Sequence, residues 1–153
     1  TSYNFGAGLM DRVKKNIKYV TLICTAWLGG CWLLVTLFPG LFIGIFNRDA
    51  AMLAYAKPLL RIYVGGFLVS SFQISFQNSF VALGQAKISS FLAIVRKGVL
   101  LIPLILILPI WLGARGVFIA RPVADILASL TTTIFFLKLF PKLIAEQKAA
   151  LQA

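Results

Sequence analysis

The sequence predicts an all-α integral membrane fold with about four transmembrane helices. Three observations carry this. The chain is 60% hydrophobic and only 12% charged, whereas a soluble domain has about 45–50% apolar and about 25% charged residues. Mean hydropathy is +0.94, so there is too little polar surface to coat a water-soluble globule. The apolar residues fall in runs close to the ~20 residues that a bilayer span requires, with most lysines and arginines placed between the runs. No segment alternates with the period of two that a half-buried strand would need.

The elements follow in chain order. Residues 1–15 read as the end of a preceding helix and a cytoplasmic loop; "NFGAG" supplies the break and the Arg12–Lys18 run the basic edge. Residues 16–38 form the first span around the uncharged stretch Tyr19–Phe38, which Pro39 and Gly40 stop. Residues 39–57, including "LFIGIFNRD", read as an external loop or interfacial half-helix. Residues 58–84 form the second span, from Pro58 to the exit "GQAK". Its second half, "SSFQISFQNSF", is unusually polar for a membrane helix.

The third span covers 88–112. Its uncharged part, "GVLLIPLILILPIWLG", has only sixteen residues, so the helix must extend back and carry Arg96 and Lys97 inside it. Pro103 and Pro109 should kink it, which membrane helices tolerate where neighbours satisfy the freed carbonyls. The fourth span covers 116–140, with Arg121, Pro122 and Asp125 in its first third. Residues 141–153 read as a cytoplasmic tail with a short amphipathic helix.

Fifteen basic residues against four acidic ones give a net charge of +11. A basic chain can mark a nucleic-acid partner. Here the cations lie between apolar runs, where they set topology and meet anionic lipid. The expected partner is the bilayer, with no nucleic acid. With the amino end in the cytoplasm, ten basic residues fall on the inner side and five on the outer side. The bias places both ends of the segment inside, in a multi-pass cytoplasmic-membrane protein. Cys24 and Cys31 lie ~10.5 Å apart along one helix, beyond the ~7 Å that a disulfide permits.

Chemistry is sparse. The chain has no histidine, no carboxylate pair, no Cys/His cluster with metal spacing and no Ser/His/Asp set. No catalytic residue, metal ligand or cofactor is expected, and the chain does not read as an enzyme. "NFGAG" follows no strand and lacks the Gly-Lys-Ser/Thr ending of a phosphate loop.

Two constellations remain. On the second helix Gln73 and Gln77 share a face one turn apart, Ser70 continues that face, Asn78 lies beside it, and Phe72, Phe76 and Phe80 line an adjacent face. Such a face can be interhelical glue or the wall of a wet cavity; on the cavity reading the substrate-lining residues are Gln73, Phe76, Gln77, Asn78 and Phe80. On the fourth helix Asp125 is an intramembrane acid, a functional candidate by its cost alone. It is either an ion-coupling group or half of a structural ion pair. Its partner is Arg121 at i−4 or Arg96 on the third helix. Asp125 lies ~13–14 Å below the outer start of its helix and Arg96 ~13 Å above the inner start of its own. Across a ~30 Å core these depths hardly overlap, which favours Arg121.

The residues resemble one family as a whole. "SYNFGAGLMDRVKKNIKY" is similar to the stretch that closes helix eight of multidrug and toxic compound extrusion (MATE) transporters and leads into helix nine. Tyr3, Asn4, Gly6, Ala7, Arg12, Lys14 and Lys15 fill its positions. "LFPGLFIGIFNRD" resembles the link from helix nine to ten. "LRIYVGGFLVSSFQISFQNSFVALGQAK" resembles helix ten and its exit, with Arg61, Gln73, Ala82-Leu83-Gly84 and Lys87 in place. "VRKGVLLIPLILILP" and "GVFIARPVAD" resemble helices eleven and twelve.

The resemblance covers the whole chain but about the last third of a usual member. It implies part of a twelve-helix, two-lobed transporter that exports cationic, lipophilic compounds in exchange for protons or sodium by alternating access. On that reading the chain is a fragment, its partners are small organic cations and a missing amino-terminal lobe, and the only ion involved is the transported H+ or Na+. Some members carry a coupling acid on helix ten, where this chain offers Gln73, Gln77 and Asn78. Arg121 stands before Pro122 where a small residue is more usual. Two alternatives stay open: a lipid or polysaccharide flippase of the same superfamily, and a four-helix membrane assembly subunit without a transport cycle.

Overall fold

A computed structural model describes residues 1–151. The described chain is helical almost throughout, and no strand occurs among the described residues. It has eight α-helices: α1 (Ser2–Gly6), α2 (Met10–Leu37), α3 (Pro39–Gly44), α4 (Ala50–Tyr63), α5 (Phe67–Ala82), α6 (Ala86–Ile94), α7 (Ile102–Leu112) and α8 (Ala114–Ala150). A 3₁₀ turn at Val64–Gly66 joins α4 to α5, and a π-helical segment at Val95–Leu101 joins α6 to α7. The result is four helical rods long and apolar enough to cross a membrane: Met10–Leu37, Ala50–Ala82, Ala86–Leu112 and Ala114–Ala150. The chain is part of an all-α, multi-pass membrane protein.

Several boundaries differ from the expected ones, the larger differences each for a local reason. The first span begins at Met10 rather than 16. Lysine and arginine are good helix formers, and their long stems reach water from a helix end, so the Arg12–Lys18 run is helical. The 39–57 segment is mostly helical. Pro39 starts α3 at a position where its missing N–H is no loss, and Asp49 caps α4 by accepting from the Met52 amide at 2.9 Å. The second span therefore starts at Ala50, and Pro58 lies inside it. Finally, 116–140 and the tail form one helix that runs through Pro141 to Ala150. The last part of the expected tail, residues 152–153, lies outside the described residues.

The third span starts at Ala86 and widens into a π segment before Pro103. Proline cannot donate its missing N–H, and its ring crowds the carbonyl four residues back. A wider turn just ahead of it relieves that clash. The α5 exit is closed by Gly84 at φ +78°, with the Gln85 amide donating to the Phe80 carbonyl at 2.8 Å and the Gly84 amide to Val81 at 3.0 Å. This is a Schellman close, which needs a residue free to turn left-handed.

Hydroxyl pairs fix the packing of α2 on α5. Thr21 meets Ser75 at 2.6 Å and Thr25 meets Ser71 at 2.9 Å, so the two helices run antiparallel. α5 and α8 run parallel, with Ser129 donating to the Val69 carbonyl at 2.8 Å and Phe76 stacked on Phe136 at 4.4 Å. α7 turns back into α8 through Gly113 (φ +57°). Just beyond it the backbone of Leu108 and Pro109 lies so close to Gly116 that a Cβ there would sit 2.5–2.6 Å from it. The apolar core collects Val13, Ile17, Phe80, Leu83, Leu92, Phe136 and Leu143 at one end of the bundle, where α2 and α6 begin and α5 and α8 end. Toward the opposite end the interior between α5 and α8 is polar. The outer faces of α2 and α7 carry exposed Leu22, Ile23, Trp27, Leu106, Ile110 and Trp111, as helices facing lipid or further helices do.

Candidate functional site

The polar interior is built on Gly66. An added Cβ there would lie 2.9 Å from Asp125 Cβ and 3.0 Å from Pro122 Cα. Only glycine lets the α4–α5 junction approach α8 this closely. Asp125 sits under that contact with 1% of its side chain exposed. Both of its oxygens are occupied. Arg96 donates from Nε at 3.1 Å and Nη2 at 2.8 Å to Oδ1, and Arg121 donates from Nε to Oδ2 at 3.1 Å. Arg121 also donates to the Tyr63 hydroxyl at 3.0 Å, and its guanidinium carbon lies 5.4 Å from the Tyr63 ring centre. Tyr63 is in turn held edge-on by Phe118, with ring centres 6.2 Å apart.

Asp125 thus has two partners, and the preference for Arg121 over Arg96 is corrected. The depth comparison counted from opposite membrane faces. The two helices share the Gly113 turn, and depth is better counted from there. Arg96 lies seventeen residues before the turn and Asp125 twelve after it, an offset of ~7.5 Å at ordinary helical rise. The π segment shortens that further, and a guanidinium on a four-bond stem spans it. Two guanidinium groups and one carboxylate leave the cluster with a net charge of +1.

This geometry suits clamping. The carboxylate ties three rods together: the second span through Tyr63 and Arg121, the third through Arg96, and α8 itself. Burying a carboxylate is costly unless it is paired and hydrogen-bonded, and here both oxygens are saturated. Tyr63 and Gly66 were not picked out from sequence. The "GG" pair inside an apolar span was the available signal for the glycine; the tyrosine had none.

The α5 residues divide by face. Gln73 and Phe80 have no exposed surface, Phe76 and Gln77 are half-buried, and Asn78 is exposed. Gln77 Nε2 donates to the Ser89 carbonyl at 3.1 Å, and Gln73 Nε2 donates to Gln77 Oε1 at 3.2 Å. The direction of this relay is fixed, because a backbone carbonyl can only accept. It ends at Gln73 Oε1, which has no donor, one turn from Ser70 Oγ, likewise without a partner. The two glutamines therefore bond α5 to α6 and to each other, which favours the interhelical reading. Phe76 does reach an open surface. With Phe72 it lines a groove of about 480 Å³ between α2 and α5, while its other side lies on Phe136.

The chain is similar to the multidrug export protein MepA of Staphylococcus saprophyticus, 24% identical over 151 residues, which is 99% of this chain and 33% of that protein. It is similar to MepA of Staphylococcus aureus, 25% identical over 145 residues, or 95% of this chain and 32% of that one. The chain spans about a third of the length of these relatives. No solved structure matches it. The MatE family model matches residues 1–107, from α1 into α7 and including Arg96, which is well over half of the chain; with four membrane-length helices in the expected order, the chain belongs to the MatE family.

Proposed function

We propose that this chain is the carboxy-terminal part, from the end of helix eight through helix twelve, of a multidrug efflux antiporter. The whole transporter exports cationic, lipophilic compounds in exchange for H+ or Na+ by alternating access. It lies in the cytoplasmic membrane, with both ends of this segment in the cytoplasm. The observation that carries this reading is the similarity, along nearly the whole chain, to proteins named for multidrug export.

Within this reading Asp125 is a clamp. A carboxylate whose two oxygens are both taken by Arg96 and Arg121 has no free oxygen to offer a coupling ion. The coupling carboxylates belong to other helices of the transporter. The exposed Asn78 is the part of α5 that can face substrate, while Gln73, Gln77 and Phe80 hold the helix in place and Phe76 lies between Phe136 and the α2–α5 groove.

Dye efflux tests this, with the transporter that carries this segment in cells or proteoliposomes under an imposed proton or sodium gradient. Efflux driven by one gradient identifies the ion; no efflux under either sinks the antiporter reading. The isolated chain in liposomes should transport nothing. Asp125→Asn should lower the yield of folded transporter and leave transport per folded molecule unchanged. A loss of transport at normal yield would instead assign Asp125 to coupling.

A further inference from the structure

We propose that the groove between α2 and α5 binds an anionic phospholipid, with its phosphate at Lys14 and Lys18 and an acyl chain laid against Phe72 and Phe76. The groove holds about 480 Å³, within the ~300–1,000 Å³ of ordinary ligand sites. Lys14 and Lys18 are one turn apart on α2 and both side chains line the groove at the end where α2 begins, so two cationic side chains border one end of it. Beyond them the wall is apolar. Thr21 and Thr25 also line it, but their hydroxyls are occupied by Ser75 and Ser71, which leaves mainly their methyl groups to a ligand. Tyr19, 60% exposed, stands beside Lys18, the placement of an aromatic at a membrane–water boundary.

The charge has no protein counterpart. Both salt bridges among the described residues are at Asp125, and Asp11 on the same helix reaches neither lysine closely enough to form one. An occupant must therefore carry negative charge at one end and a long apolar body behind it. A cationic compound would be repelled at the basic end, so this groove is distinct from the route proposed for exported substrates. The inference does not depend on the antiporter reading. Lysines at the bilayer surface favour anionic lipid by about 1 kcal/mol each.

Native mass spectrometry tests this on the transporter that carries the segment, released from detergent after incubation with equal amounts of phosphatidylglycerol and phosphatidylcholine of matched chains. The wild type should retain phosphatidylglycerol in preference by about tenfold or more. Lys14→Gln with Lys18→Gln should reduce the ratio to about one. Arg12→Gln with Lys15→Gln removes the same charge from the same helix end, from exposed residues outside the groove, and should keep the preference. Leu22→Trp fills the groove at constant charge and should also abolish retention. Equal loss in the two charge variants would mean diffuse surface attraction and overturn the site. So would undiminished retention in Leu22→Trp. No lipid on the wild type would mean that another part of the protein or a second copy covers the groove, and would overturn it equally.

Discussion

Asp125→Asn removes the one anion from between two arginines, raising the cluster from +1 to +2. The two arginines do not suffer equally. Arg121 has a third of its side chain exposed and keeps the Tyr63 hydroxyl and ring. Its pair with Asp125 is screened and adds little. Arg96 is 18% exposed, and both of its hydrogen bonds go to Oδ1 of Asp125. Removing one partner of a buried pair costs about 3–5 kcal/mol. The asparagine oxygen still accepts from Arg96, and the partial exposure of Arg96 allows some solvation, which lowers the expected loss to about 2–3 kcal/mol. At about 2–4 °C per kcal/mol for a chain of this size, Tm should fall by about 5–10 °C. Trp27, Trp32 and Trp111 provide the fluorescence signal for a thermal melt in detergent. Adding Arg96→Gln to Asp125→Asn removes the stranded cation and should recover at least half of the loss, a coupling of about 1.5 kcal/mol in a double-mutant cycle. A single variant within about 1 °C of wild type, or a double variant whose losses simply add, would refute the clamp.

Three further perturbations address packing. Gly116→Ala would place a Cβ 2.5 Å from the carbonyl carbon and oxygen of Leu108. Backbone cannot step aside like a side chain, so the hairpin between α7 and α8 should open at a cost of about 3 kcal/mol, visible as a lowered Tm. Gly30→Ala, where an added Cβ meets nothing within 4 Å, should be neutral or stabilise by up to about 1 kcal/mol. Phe136→Ala removes a ring stacked on Phe76 and Phe140 and set edge-on to Phe80; a loss of about 3 kcal/mol in denaturant titration is expected, with Phe136→Leu recovering about half.

Much of the architecture was legible in the sequence because the bilayer imposes a coarse rule. Four largely apolar stretches near membrane length had to become four rods, with Pro39-Gly40 and the exit at Gly84 falling between them. Their exact bounds were not legible. Lysine at Arg12–Lys18 and proline at Pro58 and Pro141 are read as interruptions by composition, yet a helix with neighbours to pack on runs through them. The α5 polar face was visible as Ser70, Gln73 and Gln77, but whether it met a cavity or another helix depended on what lay opposite. Ser89, on α6, answered that.

Residue type alone determined the class of this protein, its number of membrane-length rods and the presence of an expensive acid at position 125, because each follows from transfer free energies that need no coordinates. Tertiary structure decided which charges meet. Axial depth counted from the sequence separated Arg96 from Asp125; a shared turn at Gly113 and a widened helix before Pro103 brought them together, while the missing Cβ of Gly66 let the α4–α5 junction close on Asp125. The same holds for the α2–α5 groove. Lys14 and Lys18 lie more than fifty residues from Phe72 and Phe76 in sequence, and only the antiparallel hydroxyl ladder of Thr21, Thr25, Ser71 and Ser75 puts a basic end and an aromatic wall on one surface. Pairwise contacts of that kind depend on the register between helices, and no local pattern in the chain encodes register.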